Sequence, residues 1–184
     1  MNPQANDKRK RVIVLDTSAF LAGFDPFSLS EEQVTVPKVE EEIRRNSIIN
    51  TRFRTAIESG KLKVKAPKSE FLETAKASAS RLGDSYLLSE ADNQLLALAL
   101  ELKAEGFAPK IVTDDYSIQN VASKMEVEFS ALGTFGIKRL LEWVRYCPAC
   151  HREYPVDCAS KECLVCGTQL KRKPRRTVKN IKKQ

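Results

Sequence analysis

The stretch KIVTDDYSIQN, residues 110–120, runs from apolar β-branched residues through a threonine into two adjacent aspartates and then into a helix-forming segment. A short buried strand that ends in carboxylates and turns into a helix is the repeating unit of an α/β sheet. Similar apolar, β-branched segments stand at RVIVL (11–15), QVTVP (33–37), LKVKA (62–66) and VEFSA (127–131). Between them lie helical patterns: SAFLAG, the long VEEEIRRNSIINTRFRTAIESG, SEFLETAKASASRLG, SEADNQLLALALELKAEG and SIQNVASKM. Several close on glycine, as helix C-termini often do. The alternation predicts a mainly parallel sheet flanked by helices over residues 11–131.

The 184 residues hold one such domain and something small beside it. The division expected is a basic extension (1–10), the α/β domain (11–131), a linker (132–146), a cysteine-bearing unit (147–170) and a basic tail (171–184). No apolar run approaches the roughly 18 residues that span a bilayer, and the basic start lacks the apolar core of a secretory signal. A soluble, cytoplasmic protein with no membrane partner is expected. The net charge of +7 is concentrated at the end: residues 171–184 carry eight Lys or Arg and no acid, leaving 23 basic against 24 acidic groups in the other 170 residues. A tail this polar cannot order itself by burial, and it releases counterions on meeting a polyphosphate. A purely solubilising end is the alternative reading.

All five cysteines fall between residues 147 and 166. Cys147 and Cys150 form one C-x-x-C knuckle, Cys163 and Cys166 another, with twelve residues between them. Each knuckle places two thiolates at adjacent corners of a tetrahedron, so together they predict one structural Zn²⁺ in a ribbon. Two disulfides are the alternative, disfavoured by an intracellular redox poise. Cys158 is left as a spare thiol or a substitute ligand. The single histidine, His151, follows Cys150 directly, so a histidine-based hydrolytic centre in the main domain is excluded.

Acids recur where strands end. Asp16 follows VIVL, Glu42 lies six residues after VTV, Asp92 opens the long apolar helix, and Asp114 and Asp115 follow KIVT. In an open parallel sheet, ligands bind outside the carboxyl ends of the strands, where these acids would converge. Each has a structural reading as well. Asp16 and Asp115 suit N-caps, Asp92 suits a capping box with Ser89, and Glu42 belongs to a run of three glutamates. Gathered in one cleft they repel by about 4 kcal/mol per pair at 4 Å and a dielectric of 20, more than the roughly 1 kcal/mol of a cap. Cations are needed to offset that, and an all-oxygen ligand set favours Mg²⁺ or Mn²⁺.

The ordered set VLDTSAF, VPKVEEEI, LSEADNQLLALA and VTDDYSIQN resembles the acidic motifs of PIN-domain ribonucleases. With the four-cysteine ribbon, GDSYLLSEAD and DYSIQNVA, the chain is similar to the archaeal ribosome-biogenesis members that mature the 3′ end of small-subunit rRNA. The resemblance implies metal-ligand, catalytic roles for Asp16, for Glu42 between Val39 and Ile43, for Asp92, and for Asp115 in a T-x-D frame with Thr113 and Tyr116. Asp114 stands outside the usual ligand slot. Thr17, Ser18 and Thr113 become candidates to hydrogen-bond the acids, and Asp84 is carried as a motif residue. The implied activity is metal-assisted RNA hydrolysis leaving 5′-phosphate and 3′-hydroxyl ends, on pre-rRNA within a small-subunit precursor.

Binding of single-stranded RNA is then expected from basic surfaces: Arg145, Arg152 and Lys161 around the ribbon, and Lys171, Arg172, Lys173, Arg175 and Arg176 in the tail. Trp143 and Tyr146 read as packing residues before stacking platforms. Two other readings are an RNA-binding assembly factor with an inactive pocket and a toxin-like PIN ribonuclease cutting tRNA or mRNA.

Overall fold

Strand β1 (Arg11–Leu15) is buried along four of its five residues, as expected of a strand covered by helices on both faces. The computed structural model describes residues 9–45, 47–82, 88–134, 142–155 and 158–175. After β1 come α1 (Thr17–Leu21), β2 (Glu32–Thr35), α2 (Pro37–Ile43), α3 (Ser47–Glu58), β3 (Leu62–Val64), α4 (Ser69–Leu82), α5 (Glu90–Ala104), β4 (Ala108–Val112), α6 (Tyr116–Lys124) and β5 (Glu128–Ser130). The five strands are all parallel in the order β3-β2-β1-β4-β5. The order reverses between β1 and β4, whose registers pair Arg11 with Ala108 through Leu15 with Val112. That reversal opens a crevice at the carboxyl ends of these two strands.

Helix α5 is buried over Leu95, Leu96, Ala97, Leu98, Ala99 and Leu102, and it packs against α4, β4, β1, α2 and α6. A helix apolar on most of its circumference belongs at the centre of a domain, and this placement fixes where its N-terminal residue Asp92 sits. The expected long helix between β2 and β3 is instead two, α2 ending at an Arg44 C-cap and α3 starting at Ser47. Apolar periodicity runs through both and conceals the break. Among the described residues no helix is long and apolar enough to cross a membrane.

A second sheet, antiparallel in the order β7-β6-β8, is built from β6 (Glu142–Tyr146), β7 (Glu153–Tyr154) and β8 (Lys171–Arg175). It corrects the sequence reading on both sides of the cysteines. Residues 142–146 are not linker, and 171–175 are not unstructured tail: β8 pairs with β6 from Lys171–Tyr146 to Arg175–Glu142. The reason lies in the partner strand. Arg172 stacks over the Trp143 ring at 4.7 Å and Lys173 over Tyr146 at 5.0 Å, with Lys173 also paired to Glu153 at 2.7 Å. These contacts order a segment that composition alone leaves free. Pro174 is tolerated because β8 is an edge strand. Trp143 and Tyr146 therefore carry their own chain's cations.

Candidate functional site

Helix α1 begins where β1 ends, and Asp16 is its N-cap, accepting from the Thr17 N–H at 2.7 Å. The Ser18 and Thr113 hydroxyls both donate to Asp16 Oδ2, at 2.6 and 2.8 Å. The latter bond crosses the sheet's switch point, from the end of β4 to the end of β1. Each hydroxyl is itself held: Ser18 Oγ accepts the Asp114 N–H and Thr113 Oγ1 the Asp115 N–H, both at 3.0 Å. Burial, with Asp16 only 5% exposed, pushes its carboxyl above the usual aspartate range against these bonds.

Glu42, exposed on α2, accepts from the Thr17 hydroxyl at 2.5 Å, which brings it beside Asp16. Asp92 and Ser89 form a reciprocal capping box at the start of α5, with Ser89 N–H to Asp92 Oδ2 at 2.7 Å. Its carboxyl is raised first by burial, and further by the negative charges of Asp16 and Asp115. The Thr113 hydroxyl, bonded to the Asp16 carboxylate and to the Asp115 N–H, joins the ends of β1 and β4. Asp115 caps α6 through the Ser117 N–H at 2.6 Å. Capping and clustering thus coexist in the same three aspartates. Among the described residues, no lysine or arginine pairs with any of the four acids. Only the four cysteines bring three or more ligand atoms within 4.8 Å of each other among the described residues. The four acids do not form such a group among the described residues.

Asp114 does something else. Its carboxylate accepts the backbone N–H groups of Leu132, Gly133 and Thr134, and the Thr134 hydroxyl, at 3.0–3.1 Å. Burial raises its pKa, but these donors outweigh it and hold the carboxyl below the usual range. Asp84 lies outside the described residues. Sequence reasoning missed Gln119, fully buried on α6, whose amide donates to the Thr113 carbonyl at 2.9 Å and fixes the end of β4. A glutamine between apolar helix positions was its signal. It also passed over Glu101, near the other end of α5 from Asp92. That carboxylate is 1% exposed, accepts the Lys68 N–H at 3.0 Å and pairs with Lys65 at 3.2 Å, so it is a satisfied structural acid.

In the second sheet the four sulfurs of Cys147, Cys150, Cys163 and Cys166 gather within 4.8 Å of each other. Cys147–Cys166 and Cys150–Cys163 are 3.4 and 3.5 Å apart, far longer than a disulfide. The edge of a tetrahedron with 2.3 Å metal–sulfur bonds is about 3.8 Å, so the donor set fits a zinc ribbon. The buried Tyr154 hydroxyl, 3.0 Å from the Cys163 sulfur, holds that thiol down to about 6. Cys158 is outside the cluster; its carbonyl, with that of Ser160, accepts from Arg145 at 2.8 and 3.1 Å. Arg145, expected as an RNA contact, is thus also bonded within the ribbon. The β6–β7 register sets it opposite the buried Tyr154, on the inner face, where it clamps the ribbon. Arg172 and Lys173 are likewise half-buried in ring and ion-pair contacts, while Arg152, Lys161, Lys171 and Arg175 are exposed. Arg176 lies outside the described residues.

A family model for the PIN domain of ribonuclease matches residues 13–102, the span that carries Asp16, Glu42 and Asp92. Three archaeal relatives match nearly the whole chain, each named Endoribonuclease Nob1. The Methanocaldococcus jannaschii protein is 37% identical over 163 residues, 89% of this chain and 78% of the relative. The Methanothermobacter thermautotrophicus protein is 36% identical, covering 89% and 93%. The Pyrococcus abyssi protein is 40% identical, covering 91% and 96%. A parallel sheet with acids at its switch point, a four-cysteine ribbon and this degree of identity agree: the chain belongs to the PIN-domain endoribonuclease family.

Proposed function

We propose that this endoribonuclease hydrolyses an RNA phosphodiester with Mg²⁺ or Mn²⁺ held by Asp16, Glu42, Asp92 and Asp115, acting on the 3′ end of small-subunit pre-rRNA. The observation that carries the reading is the bond network at the strand ends, in which the Thr113 hydroxyl joins the Asp16 carboxylate to the Asp115 N–H and the Thr17 hydroxyl brings Glu42 to the same place. When bound, a divalent cation activates water and neutralises charge developing on the phosphate.

The chain's own groups supply the positioning. Thr17 N–H fixes Asp16 Oδ1, the Ser18 and Thr113 hydroxyls fix Oδ2, and the Thr17 hydroxyl ties Glu42 to the same spot. With the Ser18 and Thr113 hydroxyls each oriented by a further backbone N–H, the Asp16 carboxylate meets the RNA without rearranging. The acidic cleft repels RNA on its own, so affinity rests on the exposed cations Arg152, Lys161, Lys171 and Arg175, on Arg176, and on the ribbon built around one Zn²⁺. The toxin-like reading is not favoured, because the relatives named Endoribonuclease Nob1 match 89–91% of this chain at 36–40% identity.

The test is cleavage mapping on a transcript spanning the mature 3′ end of small-subunit rRNA, with free tRNA and mRNA as competitors. One dominant Mn²⁺-dependent cut at the mature end, with 5′-phosphate and 3′-hydroxyl products, is expected. Preferential cutting of tRNA or mRNA would refute the substrate assignment, and 2′,3′-cyclic phosphate ends would refute the mechanism.

A further inference from the structure

Asp114 is the one acid of the crevice whose bonds point away from it. Its Oδ1 receives the N–H groups of Leu132, Gly133 and Thr134 at 3.0 Å and the Thr134 hydroxyl at 3.1 Å, and Gly133 N–H also reaches Oδ2 at 3.0 Å. A carboxylate offers about four acceptor sites. Four donors converge on it, all of them on Oδ1, so that oxygen is fully engaged and the carboxylate is turned toward residues 132–134. Three successive N–H groups converging on one anion form a backbone nest, and the charge strengthens each bond.

The nest occupies a particular place in the chain. The parallel sheet ends at Ser130, and the next described strand, β6, begins the ribbon sheet at Glu142. Residues 132–134 are therefore the first part of the covalent connection between the two sheets. The backbone of the same Asp114 reaches the other way. Its N–H donates to Ser18 Oγ at 3.0 Å, and Ser18 Oγ donates to Asp16 Oδ2 at 2.6 Å. A continuous chain of bonds thus runs from the exit segment to the Asp16 carboxylate. Independently of these bonds, Gly133 is packed onto the carboxylate so closely that a Cβ there would stand 3.2 Å from Asp114 Oδ2.

We propose that Asp114 is a positioning residue that couples the segment leaving the α/β domain toward the ribbon to the orientation of the Asp16 carboxylate. The site reports the placement of residues 132–134 through Asp114 and Ser18. The inference rests on the assignment of Asp16 as a cation ligand, and its role for Asp114 is distinct from that of Asp115, the neighbouring candidate ligand.

The experiment uses the full chain with Asp114→Asn, Gly133→Ala and, for reference, Asp115→Asn. Amide exchange is read at residues 132–134, at Thr17, whose N–H donates to Asp16, and at the neighbouring Ser18. Mn²⁺ affinity is read from the paramagnetic resonance of free Mn²⁺, and kcat and KM from RNA cleavage. Asp114→Asn and Gly133→Ala should speed exchange at both places and lower Mn²⁺ affinity and kcat about 10- to 100-fold, the usual effect of losing a partner behind a metal ligand, with KM unchanged. Asp115→Asn should abolish Mn²⁺ binding while residues 132–134 stay protected.

Faster exchange confined to 132–134, with Thr17, Ser18 and Mn²⁺ affinity unmoved in both variants, would overturn the coupling and leave a purely structural anchor. Loss of Mn²⁺ binding in Asp114→Asn with 132–134 still protected would overturn it by making Asp114 a ligand. Gly133→Ala keeps the carboxylate and carries the test if Asp114→Asn fails to fold. Full cleavage by an Asp16→Asn chain would instead remove the metal assignment, and the exchange data would still decide whether the two segments are coupled.

Discussion

Replacing Asp92 or Asp16 by asparagine is expected to lower the rate of RNA cleavage in saturating Mn²⁺ by about a thousandfold, with RNA affinity nearly unchanged. A bound cation supplies several kcal/mol of charge stabilisation at the transition state, and each 1.4 kcal/mol is a factor of about ten. The same substitution separates the two roles that these residues combine. Asparagine and aspartate are comparable at helix N-termini. An amide oxygen at position 92 still accepts the Ser89 N–H that the carboxylate holds at 2.7 Å, and one at position 16 still accepts a hydroxyl of Ser18 or Thr113. The melting temperature should therefore hold. Single-turnover kinetics beside a thermal melt checks both halves. Wild-type cleavage by either variant would rule out the metal role, and loss of folding in both would make the aspartates caps alone.

The second large effect is expected in the ribbon. Cys163→Ser should lower metal affinity there by more than about 100-fold, beyond what losing an outer-shell partner costs, and should unfold residues 142–175 without melting the parallel sheet. Cys163 is buried and its sulfur meets the Cys150 sulfur and the Tyr154 hydroxyl; among the described residues of the ribbon, the other buried ones are Cys147 and Tyr154. A cluster this small has too little apolar surface to order the unit without its metal. Cys158→Ser is the control, because that thiol stands outside the four-sulfur cluster and should leave metal stoichiometry at one zinc per chain. Elemental analysis together with amide exchange in β6 and β8 reads the result. An unaltered zinc content in Cys163→Ser, or its loss in Cys158→Ser, would mean that the ligand set is different.

Strand β1, strand β4 and the helices after them were legible because each strand is a run of apolar residues ended by a polar one. Buried helix α5 was legible for the same reason, and its burial sets Asp92 at the crevice. Helices α2 and α3 were read as one because an amphipathic repeat continues across their junction. Strand β8 was invisible: KRKPR has no apolar alternation, and its order comes from Trp143, Tyr146 and Glu153 elsewhere in the chain. The ribbon bonds of Arg145 were hidden for a related reason, since composition marks a charge but only register decides which face it occupies. Within the site, the motif frame singled out Asp115 from the DD pair, and the structure gives Asp114 its own occupation. No local pattern announced that occupation, because its donors are main-chain N–H groups at 132–134, eighteen to twenty residues away.

The most direct test of the acidic cluster as a cation site is a crystal of the full chain soaked in Mn²⁺ and measured at the manganese edge. The account predicts an anomalous peak within about 2.1 Å of carboxylate oxygens of Asp16 or Asp92, absent from an Asp16→Asn crystal treated the same way, with no Mn²⁺ on Asp114. A peak bound to Asp114, or no peak at the crevice in a crystal whose dissolved protein cleaves RNA with Mn²⁺, would contradict it.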